Sequence, residues 1–141
     1  MALAMNTPRT FGATMPASDI ELPVAASAVI YEGAALSDVG GAGYADALTI
    51  PENFLGFAMA ACDNTGGSAG DKTVRVRREG DVLLTVAGAA ATAVTAIVYA
   101  ADDGTFTLTV GTNTPIGRVV RYNADGTCWV HFEALSQRDA S

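Results

Sequence analysis

Apolar and polar positions alternate over short runs along this chain, and Gly, Asp and Asn break the runs at short intervals. Thr73-Val74-Arg75-Val76-Arg77 alternates strictly, with Val74 and Val76 on one face and Arg75 and Arg77 on the other. Near the C-terminus Cys128, Val130 and Phe132 share one face, and Trp129, His131 and Glu133 share the opposite one. A period of two over four to eight residues predicts a half-buried strand. Further strands are predicted over residues 28–31, 34–37, 44–49, 54–61, 82–86, 96–99, 105–110 and 118–122. Gly56 interrupts one of them, which points to a bulge or a close approach of another backbone. Asp102-Asp103-Gly104 and Asn123-Ala124-Asp125-Gly126 each lie between alternating runs and predict hairpins, because Gly accepts a positive φ. Turns are also expected at Glu32-Gly33, at residues 40–43, over the Gly/Ser/Asn stretch 63–71 and at Gly80-Asp81. Residues 88–95 combine Ala with β-branched residues and leave helical turn against strand open. The sum is an all-β fold, a small β-barrel or β-sandwich.

One three-strand pattern occurs twice. Residues 28–31, 54–58 and 73–77 form the first copy, and residues 96–99, 115–119 and 129–133 the second. Each has an apolar strand ending in Tyr, a strand built around apolar-Gly, and a strand alternating apolar with charged. An internal duplication is therefore expected.

Residues 1–23 stand apart. They carry Pro8, Pro16 and Pro23 and no apolar period, so neither helix nor central strand is expected there. Phe11 and Met15 favour an extended N-terminal arm over a disordered tail, since apolar residues are wasted on a tail in water. The expected organisation is an arm over 1–23, a β-rich body over 24–135 and a polar tail over 136–141.

Composition narrows the function classes. Half of the 141 residues are apolar, enough for a core in one domain. The net charge of −7 and pI near 4.4 argue against a nucleic-acid partner. The most apolar stretch, residues 82–101, is Ala-rich and broken by Gly88, so no membrane span is expected. No basic, then apolar, secretory leader opens the sequence. Cys62 and Cys128 are compatible with one disulfide, but two buried thiols in a protein made in a reducing cytosol is the favoured reading.

Catalytic chemistry finds little to work with. His131 is the single histidine, and nothing nearby in sequence nominates a nucleophile or orienting acid. A Cys62–His131 dyad lacks a local signature. One His and two scattered Cys do not make a zinc spacing, and Asp63-Asn64-Thr65-Gly66 is an acidic turn rather than half a calcium loop. No catalytic, cofactor or metal residue is assigned. Arg75, Arg77 and Arg78 form the densest basic patch, suited to carboxylates of a partner or second subunit, or to a solvated face.

Several stretches carry a resemblance: Pro8-Arg9-Thr10-Phe11-Gly12-Ala13-Thr14, then Gly70-Asp71-Lys72-Thr73-Val74-Arg75-Val76-Arg77-Arg78, then residues 98–109, then Pro115-Ile116-Gly117-Arg118-Val119-Val120. In this order they resemble the small head decoration, or capsid cement, proteins of tailed bacteriophages and prophages, over roughly residues 7 to 134. The resemblance implies a non-enzymatic virion protein, made in the host cytoplasm, that binds the outer surface of an icosahedral head. It would bridge neighbouring copies of the major capsid protein, often as a homotrimer, with its arm added to the capsid protein's sheets. On that reading Arg9, Thr10, Phe11 and Met15 are the expected capsid contacts, and Arg75 and Arg77 a subunit or capsid contact. A head-surface module binding a receptor or glycan is the alternative, for which Trp129 and Tyr122 are the aromatic candidates. A hydrolase would need His131 or Cys62.

Overall fold

The alternating runs become twelve strands in the computed structural model, which describes residues 2–11, 19–39, 43–123 and 125–134. In chain order they are β1 (Asp19–Pro23), β2 (Val29–Ile30), β3 (Ala35–Asp38), β4 (Ala45–Ala47), β5 (Phe54–Ala58), β6 (Cys62–Asp63), β7 (Thr73–Arg77), β8 (Glu79–Ala87), β9 (Ile97–Ala100), β10 (Phe106–Thr107), β11 (Thr114–Tyr122) and β12 (Thr127–Glu133). The expected all-β fold takes the form of a closed barrel in the order β10-β8-β12-β11-β9, an open sheet in the order β1-β7-β5-β3-β4, and a small β2-β6 ribbon. Both hairpin signals hold: β9 pairs antiparallel with β10 across Asp102–Gly104, and β11 pairs antiparallel with β12. The stretch left open at residues 88–95 contains a single 3-10 turn, Ala91–Ala93.

The open sheet separates two apolar cores. One face, with Ala35, Phe54 and Phe57, packs onto the barrel interior of Val82, Leu84, Val98, Ile116 and Phe132. The other face, with Leu36, Leu55, Ala58, Val74 and Val76, packs under Val24, Ile30 and Cys62. Strict alternation would put Phe54 and Phe57 on opposite faces. The ladder with β3 slips one residue between Leu36 and Ser37, opposite Gly56, and both rings then reach the barrel side. Gly56 has φ +128°, and a Cβ there would overlap the Arg77 carbonyl oxygen. This is the close approach its position in the strand predicted.

The second copy of the repeat uses the same device. The β9–β11 ladder slips between Pro115 and Gly117, and a Cβ on Gly117 would overlap the β12 backbone at His131. In each copy the Gly-bearing strand lies antiparallel to the alternating strand, although the register differs by two residues. The likeness stops at the first strand. β9 pairs with β11, whereas its counterpart β2 pairs with β6. The second copy therefore lies wholly in the barrel, whereas the first is split between the open sheet, with β5 and β7, and the ribbon, with β2.

Two expectations need correction. Gly80-Asp81 is not a turn: β8 begins at Glu79 and Gly80 stands in the ladder opposite Phe132. Its φ of +149° kinks the chain as it passes from β7 in the open sheet to β8 in the barrel. The boundary drawn at residue 23 also does not separate an arm from a body. β1 pairs with β7 along its whole length, from Asp19 opposite Arg77 to Pro23 opposite Thr73. As the outermost strand of its sheet, β1 tolerates Pro23 at its end. The expected tail over 136–141 lies outside the described residues.

Candidate functional site

Three of the residues nominated from sequence, Arg9, Phe11 and Arg77, converge at the seam between barrel and open sheet. All five Phe of the chain meet there: Phe54 and Phe57 from β5, Phe106 from β10, Phe132 from β12 and Phe11 from the N-terminal segment. The tightest pair is Phe57–Phe132, with ring centroids 4.9 Å apart and planes at 82°. Phe11 lies 6.4 Å from Phe57 and 6.0 Å from Phe132. Edge-to-face contacts of this kind add about 0.5–1.5 kcal/mol per pair beyond area burial. The seam thus joins three parts of the chain through one ring cluster.

Two guanidinium groups flank the rings. The Arg77 guanidinium stands 4.7 Å from the centre of the Phe11 ring, and that of Arg9 stands 5.5 Å from the centre of Phe106. Arg77 also forks onto Asp19, with Nε donating to Oδ1 at 2.8 Å and a terminal nitrogen to Oδ2 at 3.2 Å. Arg9 Nε donates to the Gly33 carbonyl at 2.7 Å. Burial holds the Arg9 guanidinium below its ordinary range, and the nearby Asp103 carboxylate opposes this.

The backbone of residues 2–11 is tied down along its length. Leu3 N–H donates to Asp103 Oδ1 at 3.0 Å, Thr7 N–H to the Glu32 carbonyl at 2.6 Å, and Glu32 N–H to Asn6 Oδ1 at 3.0 Å. Leu83 N–H donates to the Thr10 carbonyl at 2.9 Å, and Phe11 makes a single antiparallel bridge to Val82. Gly33 lets the segment cross: its φ is +89°, and a Cβ would overlap the Thr7 carbonyl oxygen. Residues 2–11 are therefore an inlaid part of the body.

Of the expected contacts, Arg9, Phe11 and Arg77 come together, and each acts within the chain. Thr10 contributes its carbonyl, and its side chain is exposed. Arg75 is exposed on the outer face of β7, opposite Glu21 of β1. Met15 lies outside the described residues. The sequence did not nominate Asp103, which it assigned to a turn. Asp103 is 4% exposed, and its carboxyl is pushed up chiefly by burial and further by Asp102, against the Leu3 N–H and Arg9. No local signal marks it, because its burial depends on a segment a hundred residues away.

The open sheet ends in two edges of different kinds. Beside β4, Val24 bridges to Ala45 and Ala25 N–H donates to the Ala45 carbonyl, so that edge is covered. Beside β1, no described strand pairs with the outer edge. Ile20 is 46% exposed on this strand. An unpaired edge with an exposed apolar residue is a template for strand addition.

The remaining sequence candidates are dispersed. Cys62 and Cys128 are both buried free thiols, and burial pushes the Cys128 thiol up. Cys62 belongs to the core beneath the open sheet, whereas His131 is on the barrel exterior with Nδ1 2.9 Å from Asp81 Oδ1, so the dyad is not assembled. Asp63 accepts from the Thr65 hydroxyl and amide, which lower its pKa in that order, and Asn64 is buried on the Ala25 and Ser68 carbonyls, an ordinary turn. Tyr122 packs against the barrel core opposite Cys128, and Trp129 lies on the outer face opposite Arg121, so the two aromatics do not share a platform. Among the described residues no helix is long and apolar enough to cross a membrane. No known protein-family model and no curated protein matches the chain.

Proposed function

We propose that this protein is a structural component of a phage head. It binds the outside of the icosahedral shell and bridges neighbouring copies of the major capsid protein, as a homo-oligomer for which a trimer is favoured. The observation that carries the reading is the open β1 edge at the end of the five-stranded sheet, with Ile20 exposed on it. The acidic charge of the chain suits an outer surface away from DNA. The contact differs from the arm first expected. Arg9 and Phe11 hold residues 2–11 on the body, and β1 offers its unpaired backbone and Ile20 to a capsid strand. Presenting an ordered strand avoids the ordering cost of about 1–2 kcal/mol per residue that a free arm carries on binding. Several copies held together would add weak single contacts through high effective concentration.

Cosedimentation with undecorated, expanded heads of the phage that encodes the protein tests this reading. Saturable binding at a fixed ratio to the capsid protein is expected, and Ile20→Lys should weaken it at least tenfold while leaving the melting temperature within a few degrees. Absence of binding by folded wild-type protein would overturn the proposal. Full binding by Ile20→Lys would remove the β1 edge as the contact.

A further inference from the structure

A donor set on the outside of the barrel is unrelated to the seam and to the β1 edge. β8 and β12 run antiparallel, and their register puts Glu79 directly opposite Glu133 and Asp81 directly opposite His131. All four alternate with inward-facing core residues and so project from one face. One ligand atom each from Glu79, His131 and Glu133 lie within 4.8 Å of one another, all on half-buried side chains.

The imidazole is oriented for this cluster. Asp81 Oδ1 sits 2.9 Å from His131 Nδ1. A carboxylate only accepts, so Nδ1 carries the hydrogen, and in the neutral ring Nε2 presents its lone pair. That lone pair faces the Glu79 carboxylate, with Nε2 3.9 Å from Oε2. One oxygen of each carboxylate and one imidazole nitrogen thus lie close enough to share a single ion. A carboxylate behind the ring nitrogen opposite the ligand nitrogen is the usual outer-shell partner of a metal-bound histidine.

We infer that Glu79, His131 and Glu133 bind a divalent transition cation, with zinc the probe of choice, and that Asp81 positions the imidazole. The nitrogen ligand selects against magnesium and calcium, which take oxygen donors. Ligands about 2.0–2.1 Å from zinc lie roughly 3.3 Å apart in a tetrahedron. The three ligand atoms lie within 4.8 Å of one another, so closing on zinc needs movements of up to about 1.5 Å, within reach of the half-buried Glu side chains on fixed strands. Three protein ligands leave the fourth position for water. The ion would also draw together two carboxylates that the β8–β12 register sets face to face, where like charges are unfavourable.

His131 is the single histidine, so its imidazole nitrogen resonances report on the site without assignment ambiguity. Zinc titration of the full chain at pH 8 should shift Nε2 saturably at one equivalent, with magnesium giving no shift. Calorimetry should show His131→Gln and the Glu79→Gln/Glu133→Gln pair each losing at least tenfold in zinc affinity. Asp81→Asn should weaken binding about tenfold while Nε2 still shifts, since the ligands remain. No saturable shift up to about 1 mM zinc would overturn the inference. So would zinc binding that leaves the imidazole unshifted, which would point to the thiols, or an affinity unchanged in His131→Gln.

Discussion

Phe11 is the residue on which the N-terminal segment turns. Its ring packs by Phe57 of the open sheet and Phe132 of the barrel, and Arg77 lies over the ring. Phe11→Ala removes these contacts from a half-buried position, so it should cost about 2 kcal/mol, below the 3–5 kcal/mol of a fully buried Phe→Ala change. Urea unfolding of the variant checks this, and a loss under 0.5 kcal/mol would show that the ring adds little to the seam. Asp103 makes the opposite prediction about charge. Its folded pKa is raised, so the folded state holds its proton more tightly and stability falls as pH rises from the unfolded value through the folded one. Asp103→Asn keeps an oxygen for the Leu3 N–H and removes the buried charge. The variant should be more stable than wild type at neutral pH, with the gap closing below the ordinary carboxylate pKa of about 3.9. Melting temperatures from pH 3 to 7 decide it, and a gap that does not change with pH would contradict the account. Sequence marked Phe11 because an apolar residue stood in a polar, Pro-bearing stretch. It could not mark Asp103, since an Asp-Gly turn explains that residue completely until the chain brings Leu3 and Arg9 beside it.

The strands were legible as elements because a period of two is local. Thr73–Arg77 and Thr127–Glu133 both form where the alternation places them. Pairing was less legible. Closure of the barrel needs β10 parallel to β8 across a wide gap in sequence, and no local signal encodes that. Gly80-Asp81 misled for a physical reason: the same freedom that builds turns allows a kinked strand to continue from one sheet into another. Residues 2–11 lack a period because their bonds run to a loop at Glu32 and to a single bridge on β8 at Val82 and Leu83, rather than along a continuous ladder. Gly33 supports that whole element. Gly33→Ala meets both an unfavourable φ and the Thr7 carbonyl, a strain on the order of 1–3 kcal/mol, and should lift the segment from its track. Amide exchange at Thr7 and Leu83 should speed up by at least tenfold. Unchanged protection at both would mean that the segment is held without the crossing at Gly33.

At the scale of the molecule, the barrel is closed and the β4 end of the open sheet is covered, while β1 leaves the other end of that sheet unpaired among the described residues. Arg77 serves both sides of this arrangement, since it forks onto Asp19 of β1 and lies over Phe11. The edge that is proposed to meet the capsid is therefore braced by the seam that holds the N-terminal segment. Loss of either should be felt at the other. On the proposed reading, load between two bridged capsid subunits would pass through these packed rings and paired strands.

The most direct measurement is the temperature at which heads rupture and release DNA, with and without the protein bound at saturation. The account predicts that decorated heads survive to a temperature several degrees above that of bare heads, and that Ile20→Lys gives no protection at the same concentration. Heads that rupture at the same temperature whether or not they carry the protein would contradict the claim that it clamps the shell.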